Sequence, residues 1–326
     1  MKILVLQTAF LGDVVLATPL IEKLHRFYPE AELHFLLRKG NEGLLKDHPF
    51  LHRCWVWDKK TQKYAGLWRM LRAIRRERFD VVVNCQRFAA AGFLTVFSGA
   101  RHTVGFDKNP LARFFSRRFP HQIGTGQHEV ERNLSLIEAL TDTSFQMPRL
   151  YPGEQDYAKV SELVGAGPYV CMAPNSVWFT KQWPAHKWLE LIERIPATYT
   201  VCLLGAPGDF DGCESIRLAA AHPDVRNLAG KLNLLQSAAL MAGAGMNYVN
   251  DSAPLHLASA MNAPVAAVFC STVPDFGFGP LSTDRFLVES TDSLSCRPCG
   301  LHGHRACPKG HFDCAEGIYA AQFPLP

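Results

Sequence analysis

The chain has 326 residues, 48% hydrophobic and 20% charged, enough to bury a large core and to build two domains. Its formal charge of +4 hides an asymmetry, with 23 Lys and Arg against 14 Asp and Glu in residues 1–150, and 11 against 16 in residues 151–326. The first half therefore suits an anionic partner, while the absence of a membrane-length apolar run and of a nucleic-acid-binding motif argues against a spanning protein and a nucleic-acid partner.

The opening "MKILVLQTAFLG" is apolar, but no small-residue cleavage site follows and Asp13 interrupts it; it reads as a first buried strand and not as a signal peptide. Helical and strand patterns then alternate. "VVLATPLIEKLHRFYP" predicts a helix, "AELHFLLR" a strand, "NEGLLKDHP" a helix, "RCWVWD" a strand, "GLWRMLRAIRRERF" a helix and "DVVVNC" a strand. Continuous apolar strands separated by amphipathic stretches indicate a parallel sheet covered on both faces. Arg69, Arg72 and Arg76 share one helix side, which reads as a solvated face, and "LARFFSRRF" interleaves Arg113, Arg117 and Arg118 with phenylalanines, as an interfacial contact would.

After a Pro- and Gly-containing stretch from Met147 to Gly153 a second alternating set begins, with "YVCMAP", "HKWLELIERIP", "TYTVCLLG", "CESIRLAAAHP", "LLQSAALMAGAG", "MNYVND", "APLHLASAMN" and "APVAAVFC". Open parallel sheets bind ligands beyond the carboxyl ends of their strands, so polar residues there are the candidates. A dinucleotide fingerprint is missing: "QTAFLGD" follows the first strand, and "GAGMN" precedes a strand instead of following one. Scattered cysteines (Cys54, Cys85, Cys171, Cys202, Cys213, Cys270) lack disulfide-like spacing, and a cytoplasmic location is expected.

Asp13 stands where the first strand turns into a helix, as a helix cap or as a general base. Ser176, Thr180 and Lys181 follow the strand "YVCM", where a hydroxyl and a lysine suit a pyrophosphate. Asn250, Asp251 and Ser252 end a strand ahead of a helix with Pro254 in its first turn, an arrangement that offers amides to an anion. His256 follows, as a ligand or as a polar residue of the core.

"GDVVLATPLIEKL", "SVWFTKQWP", "LLGAPGD" and "NDSAPLHLASAMNAPVAAVF" together resemble the ADP-heptose:lipopolysaccharide heptosyltransferases, glycosyltransferase family 9. The resemblance implies an α/β protein of GT-B fold, two Rossmann-like parallel-sheet domains facing a cleft. Residues 1–150 would bind the acceptor and 151–326 the nucleotide sugar. It implies an inverting, metal-independent transfer of heptose from ADP-heptose to an acidic lipopolysaccharide core at the inner-membrane surface. The family's base falls on Asp13 and its diphosphate lysine on Lys181. Donor contacts fall on Ser176, Thr180, Asp251, Ser252 and His256, with Asp209, or Asp211 a turn later, holding the ribose. Arg113, Arg117 and Arg118 would meet the acceptor. One departure is Ala253 where the family has glycine. Other readings are a GT-B transferase or epimerase for another nucleotide sugar, or a nucleotide-sugar-binding protein without turnover.

The last segment, "CRPCGLHGHRACPKGHFDC", places Cys296, Cys299, Cys307 and Cys314 in a C-x2-C-x7-C-x6-C pattern. Structural zinc, paired disulfides, free thiols and an iron–sulfur centre all remain open. The transfer chemistry requires none of them, and the segment is expected to staple the end of the second domain.

Overall fold

Mostly apolar runs become the strands of two sheets, three to seven residues long, and the amphipathic stretches between them become their covering helices. The structure, a computed structural model, describes residues 1–59 and 63–326. Two units separate, Met1–Tyr151 and Pro152–Pro326.

The first unit runs β1 (Lys2–Leu6), α1 (Leu11–Val15), α2 (Thr18–Phe27), β2 (Glu32–Arg38), β3 (Arg53–Trp57), α3 (Lys63–Glu77), β4 (Val81–Asn84), α4 (Ala89–Val96), β5 (His102–Phe106), β6 (Arg117–Phe119) and α5 (Glu129–Ser135). Its sheet is parallel throughout, in the order β3-β2-β1-β4-β5-β6. On one face Leu4, Leu6, Leu36 and Val82 pack with Trp55, Trp57, Leu71, Ile74, Phe79 and Leu94, each fully buried aliphatic side chain contributing about 1.5–3 kcal/mol.

Two helical expectations are corrected here. The stretch read as one helix after β1 is two, because Pro19 sits in the first turn of α2, where its missing N–H costs nothing and starts a helix instead of continuing one. That places Asp13 inside the first turn of α1 and not ahead of a helix. "NEGLLKDHP" forms only a 3-10 turn over Glu42–Leu45, with Asp47 in the left-handed region at φ 56 and Pro49 beyond it.

The second unit runs α6 (Glu154–Val164), β7 (Tyr169–Ala173), α7 (Ala185–Arg194), β8 (Thr200–Leu203), α8 (Phe210–Ala219), β9 (Val225–Asn227), α9 (Leu234–Gly243), β10 (Asn247–Asn250), α10 (Ala253–Ala260), β11 (Val265–Phe269), β12 (Arg285–Glu289) and α11 (Asp313–Glu316). The parallel order β12-β11-β10-β7-β8-β9 repeats the first sheet's topology. The tail residues Phe312, Cys314, Ala315, Ile318, Ala320 and Phe323 join the core of Val170, Trp183, Trp188 and Tyr248. Among the described residues no helix is long and apolar enough to cross a membrane.

Candidate active site

In a doubly wound sheet the strand order reverses at one point, and the loops leaving the two strands there diverge to open a crevice. In the first unit that point lies between β1 and β4. Asp13, the third residue of α1, accepts the Phe10 backbone N–H at 3.1 Å, so it does satisfy an otherwise orphaned amide. The carboxylate is partly exposed yet ringed by protein. Burial first, and the charge of Glu129 second, raise its pKa from 3.8 to about 6, against the pull of nearby amides and Arg38. Such a group can accept a proton at neutral pH.

Glu129 keeps its charge because His121, at 3.1 Å, and Arg132, at 2.8 Å, outweigh the burial that opposes it. One helical turn on, Asn133 donates to the Leu16 carbonyl at 3.1 Å. Residues four apart share a helix face, so this bond pins the Glu129 face of α5 to the α1–α2 junction.

Two cations stand on the same strand-end rim. Arg38 ends β2 with its guanidinium 4.8 Å from the Phe10 ring centroid. Lys59 follows β3, donates to the Thr8 carbonyl and hydroxyl at 3.0 and 2.7 Å, and is pushed down to about 8 by burial and then by Arg38. Sequence reading missed both, since the only signal was their position just past strand ends.

In the second unit the reversal lies between β7 and β10, and the loops leaving those strands carry Lys181 and Asp251. Their Nζ and Oδ2 atoms lie 2.6 Å apart, with the side chains 15% and 7% exposed. Thr272 donates to the same Asp251 oxygen at 2.6 Å. Asn250 binds the loop after β7 twice, its amide donating to the Pro174 carbonyl at 2.8 Å and its oxygen accepting the Trp183 N–H at 3.0 Å. Trp183 is buried against Trp188 and donates to the Ile318 carbonyl.

Thr180 is also buried, its hydroxyl oxygen accepting from the His304 N–H at 2.8 Å and the Ser271 hydroxyl at 3.0 Å. The Ser176 carbonyl accepts from Gln182 at 2.7 Å within the same loop. Ser252 is the extended residue ahead of α10 and makes no side-chain cap; Pro254 has no N–H and the Leu255 N–H bonds the Ser252 carbonyl at 3.1 Å, so of the first three residues of that helix Ala253 alone offers an N–H to a ligand. Ala253 begins α10 without positive φ, so the backbone there does not itself require glycine. His256 is buried within α10, its ring 6.4 Å from that of Phe278.

Asp209 lies past β8, the neighbour of β7, and accepts the Ala206 N–H at 2.7 Å. A Cβ on Gly205 would stand 2.7 Å from that of Asp209, so the close approach there needs glycine. Asp211 is exposed on α8. Arg113, Arg117 and Arg118 are exposed near the β6 edge, three strands from β1, with Arg113 stacked on Phe114 and Arg117 near Phe119.

Among the described residues one set of three His, Cys, Asp or Glu side chains has all its ligand atoms within 4.8 Å: Glu32, His34 and His52. It does not fit a metal. The His34 Nδ1 accepts the Trp55 N–H at 3.0 Å, which leaves the hydrogen of the neutral ring on Nε2, and the Lys2 ammonium already occupies Glu32 at 2.9 Å.

Comparison with known proteins agrees with this architecture. The profile of Glycosyltransferase family 9 (heptosyltransferase) matches residues 67–305. Lipopolysaccharide heptosyltransferase 3 of Escherichia coli is 29% identical over 277 residues, covering 81% of this chain and 82% of the relative. The structure of E. coli ADP-heptose LPS heptosyltransferase II superposes with a TM-score of 0.79 at 21% identity, covering 97% of this chain and 98% of that one. E. coli heptosyltransferase WaaC with ADP gives 0.67 at 22%, covering 88% and 90%. These structural neighbours have the GT-B fold, and the chain belongs to glycosyltransferase family 9.

Proposed function

We propose that this enzyme transfers heptose from ADP-heptose to an acidic lipopolysaccharide core acceptor, with inversion and without a catalytic metal. The observation that carries the reading is the Lys181–Asp251 pair just ahead of α10. A fixed cation is what a leaving diphosphate needs, since negative charge grows on it as its bond to the sugar breaks. Asp13 takes the proton of the acceptor hydroxyl, the hydroxyl oxygen bonds to the anomeric carbon, and ADP departs from the opposite face. Lys181, with Ser176, Thr180 and Ser252 around it, neutralises the diphosphate, while Asp251 and His256 order the sugar side. Asp209 holds the ribose. The unit ending at Tyr151 takes the acceptor, and the one from Pro152 takes the donor.

The acceptor's phosphates meet Arg38 and Lys59 near Asp13, and the basic edge of Arg113, Arg117 and Arg118 faces the anionic inner-membrane surface from the cytoplasm. Calorimetric titration with ADP, UDP and GDP in chelator tests the donor class. Selective ADP binding is expected, and preference for UDP or GDP would overturn the reading in favour of another nucleotide sugar.

A further inference from the structure

The cysteine-rich segment does not hang free of the second unit. Arg297 donates to the carbonyls of Cys270 at 2.7 Å, Thr272 at 2.9 Å and Phe269 at 3.1 Å. The Cys299 N–H reaches the Ser271 carbonyl at 2.8 Å. The segment is thereby bolted to the end of β11, the stretch whose Thr272 holds Asp251.

Two of its turns hold a left-handed glycine, Gly300 directly after Cys299 at φ 72 and Gly310 three residues after Cys307 at φ 80. A left-handed glycine lets the amides around it turn back toward a nearby sulfur. Cys314, in α11, is buried in the core against which Cys307 packs. The His311 Nδ1 faces Asp313, 3.0 Å from its backbone nitrogen and 3.1 Å from its carboxylate, and Nε2 lies 3.9 Å from the Cys296 sulfur. His311 thus stands beside the sulfurs, where a ring nitrogen supports a thiolate ligand. All four cysteines are free thiols.

The loop joining the two turns packs on the lysine segment. The Thr180 N–H donates to the His304 carbonyl at 3.1 Å, and the His304 N–H returns to the Thr180 hydroxyl at 2.8 Å. A Cβ on Gly303, at φ 75, would lie 2.9 Å from the Thr180 hydroxyl and 3.3 Å from Cγ of Lys181. Phe179 packs on Phe312, with ring centroids 5.1 Å apart.

We propose that Cys296, Cys299, Cys307 and Cys314 bind one zinc ion, and that this closure holds the loop between them as the wall against which Thr180 and Lys181 are set. Four thiolates select a soft-tolerant, tetrahedral, redox-inert cation. No three ligand atoms of the segment lie within 4.8 Å of one another, so the ion draws gathered sulfurs in to the ~3.8 Å edge of a zinc–sulfur tetrahedron. The zinc is structural, and its effect on the reaction passes through Lys181. Lys181 is thus positioned by residues more than a hundred positions later in the chain.

The experiment is elemental analysis of the full chain purified without chelator, followed by ADP calorimetry before and after zinc is stripped with a thiol-binding mercurial. About one zinc per chain is expected, lost in Cys299→Ser, with ADP bound several-fold more weakly once the ion is gone. Gly303→Ala guards against a misfolded cysteine variant, since it should keep the zinc yet weaken ADP by crowding Thr180. Iron at the same stoichiometry, paired disulfides by mass, or four thiols without metal would overturn the site. ADP affinity indifferent to both stripping and Gly303→Ala would overturn the positioning role. That second half rests on the diphosphate reading of Lys181, whereas the zinc count does not, so the two fail separately.

Discussion

The two units carry the same strand order and put their polar equipment at the same topological place, yet they equip it oppositely. Beyond β1 and β4 stands a carboxylate pushed toward its protonated form by burial and a second carboxylate. Beyond β7 and β10 stands a lysine paired with an aspartate, just ahead of α10. On the proposed function, one repeated strand order supplies a proton acceptor in the first unit and an anion grip in the second. The difference arises because a switch point fixes where loops diverge and leaves their chemistry to the side chains.

The largest expected effect breaks the first half of the comparison. Asp13→Asn keeps a polar cap and removes the proton acceptor, so kcat should fall ~10²–10⁴-fold with ADP affinity unchanged; unchanged turnover would leave Asp13 a cap alone. The intact enzyme should gain activity through a limb near pH 6. Stability carries the opposite sign. The folded pKa lies above the ordinary 3.8, so the folded state binds the Asp13 proton more tightly than the unfolded chain. This contribution is full below pH 3.8 and is lost as pH rises through about 6. Urea melts across that window should show the decline in the parent and its loss in Asp13→Asn.

Lys181→Ala tests the other half. Loss of a charge-assisted contact should weaken ADP about 10- to 100-fold in calorimetry, and an unchanged Kd would end its role as a diphosphate grip. The finest test is Glu129→Gln, which removes the neighbouring charge while keeping a hydrogen-bonding side chain. It should move the activity limb below pH 6, because the repulsion that helps raise Asp13 is gone. A limb that stays put would make burial the whole cause.

Much of this was legible along the chain. The runs that became β7 and β11 are continuous and apolar, as is β1 past Lys2 and β4 up to Asn84, the pattern of strands covered on both faces; β10 is as buried, though Asn247 and Asn250 end it. Asp13, Lys181 and Asp251 followed from their places just past such strands. Short or exposed strands were harder to see: β6 has three residues and β12 exposes three of its five, so neither carries a buried apolar run. Thr180 reads along the chain as a ligand contact, and only the fold shows that its hydroxyl oxygen also accepts from Ser271 and His304.

The sequence by itself determined the alternation of elements, the parallel sheets, the loops that carry the chemistry and the four-cysteine pattern, because these depend on local periodicity and on residue types at short spacing. Only the tertiary structure decided what each charge faces. Glu129 beside Asp13, Lys59 beside Arg38, and the Gly303–His304 loop behind Lys181 are contacts across long chain separations. Electrostatic shifts depend on distance and burial, and neither is written in local order.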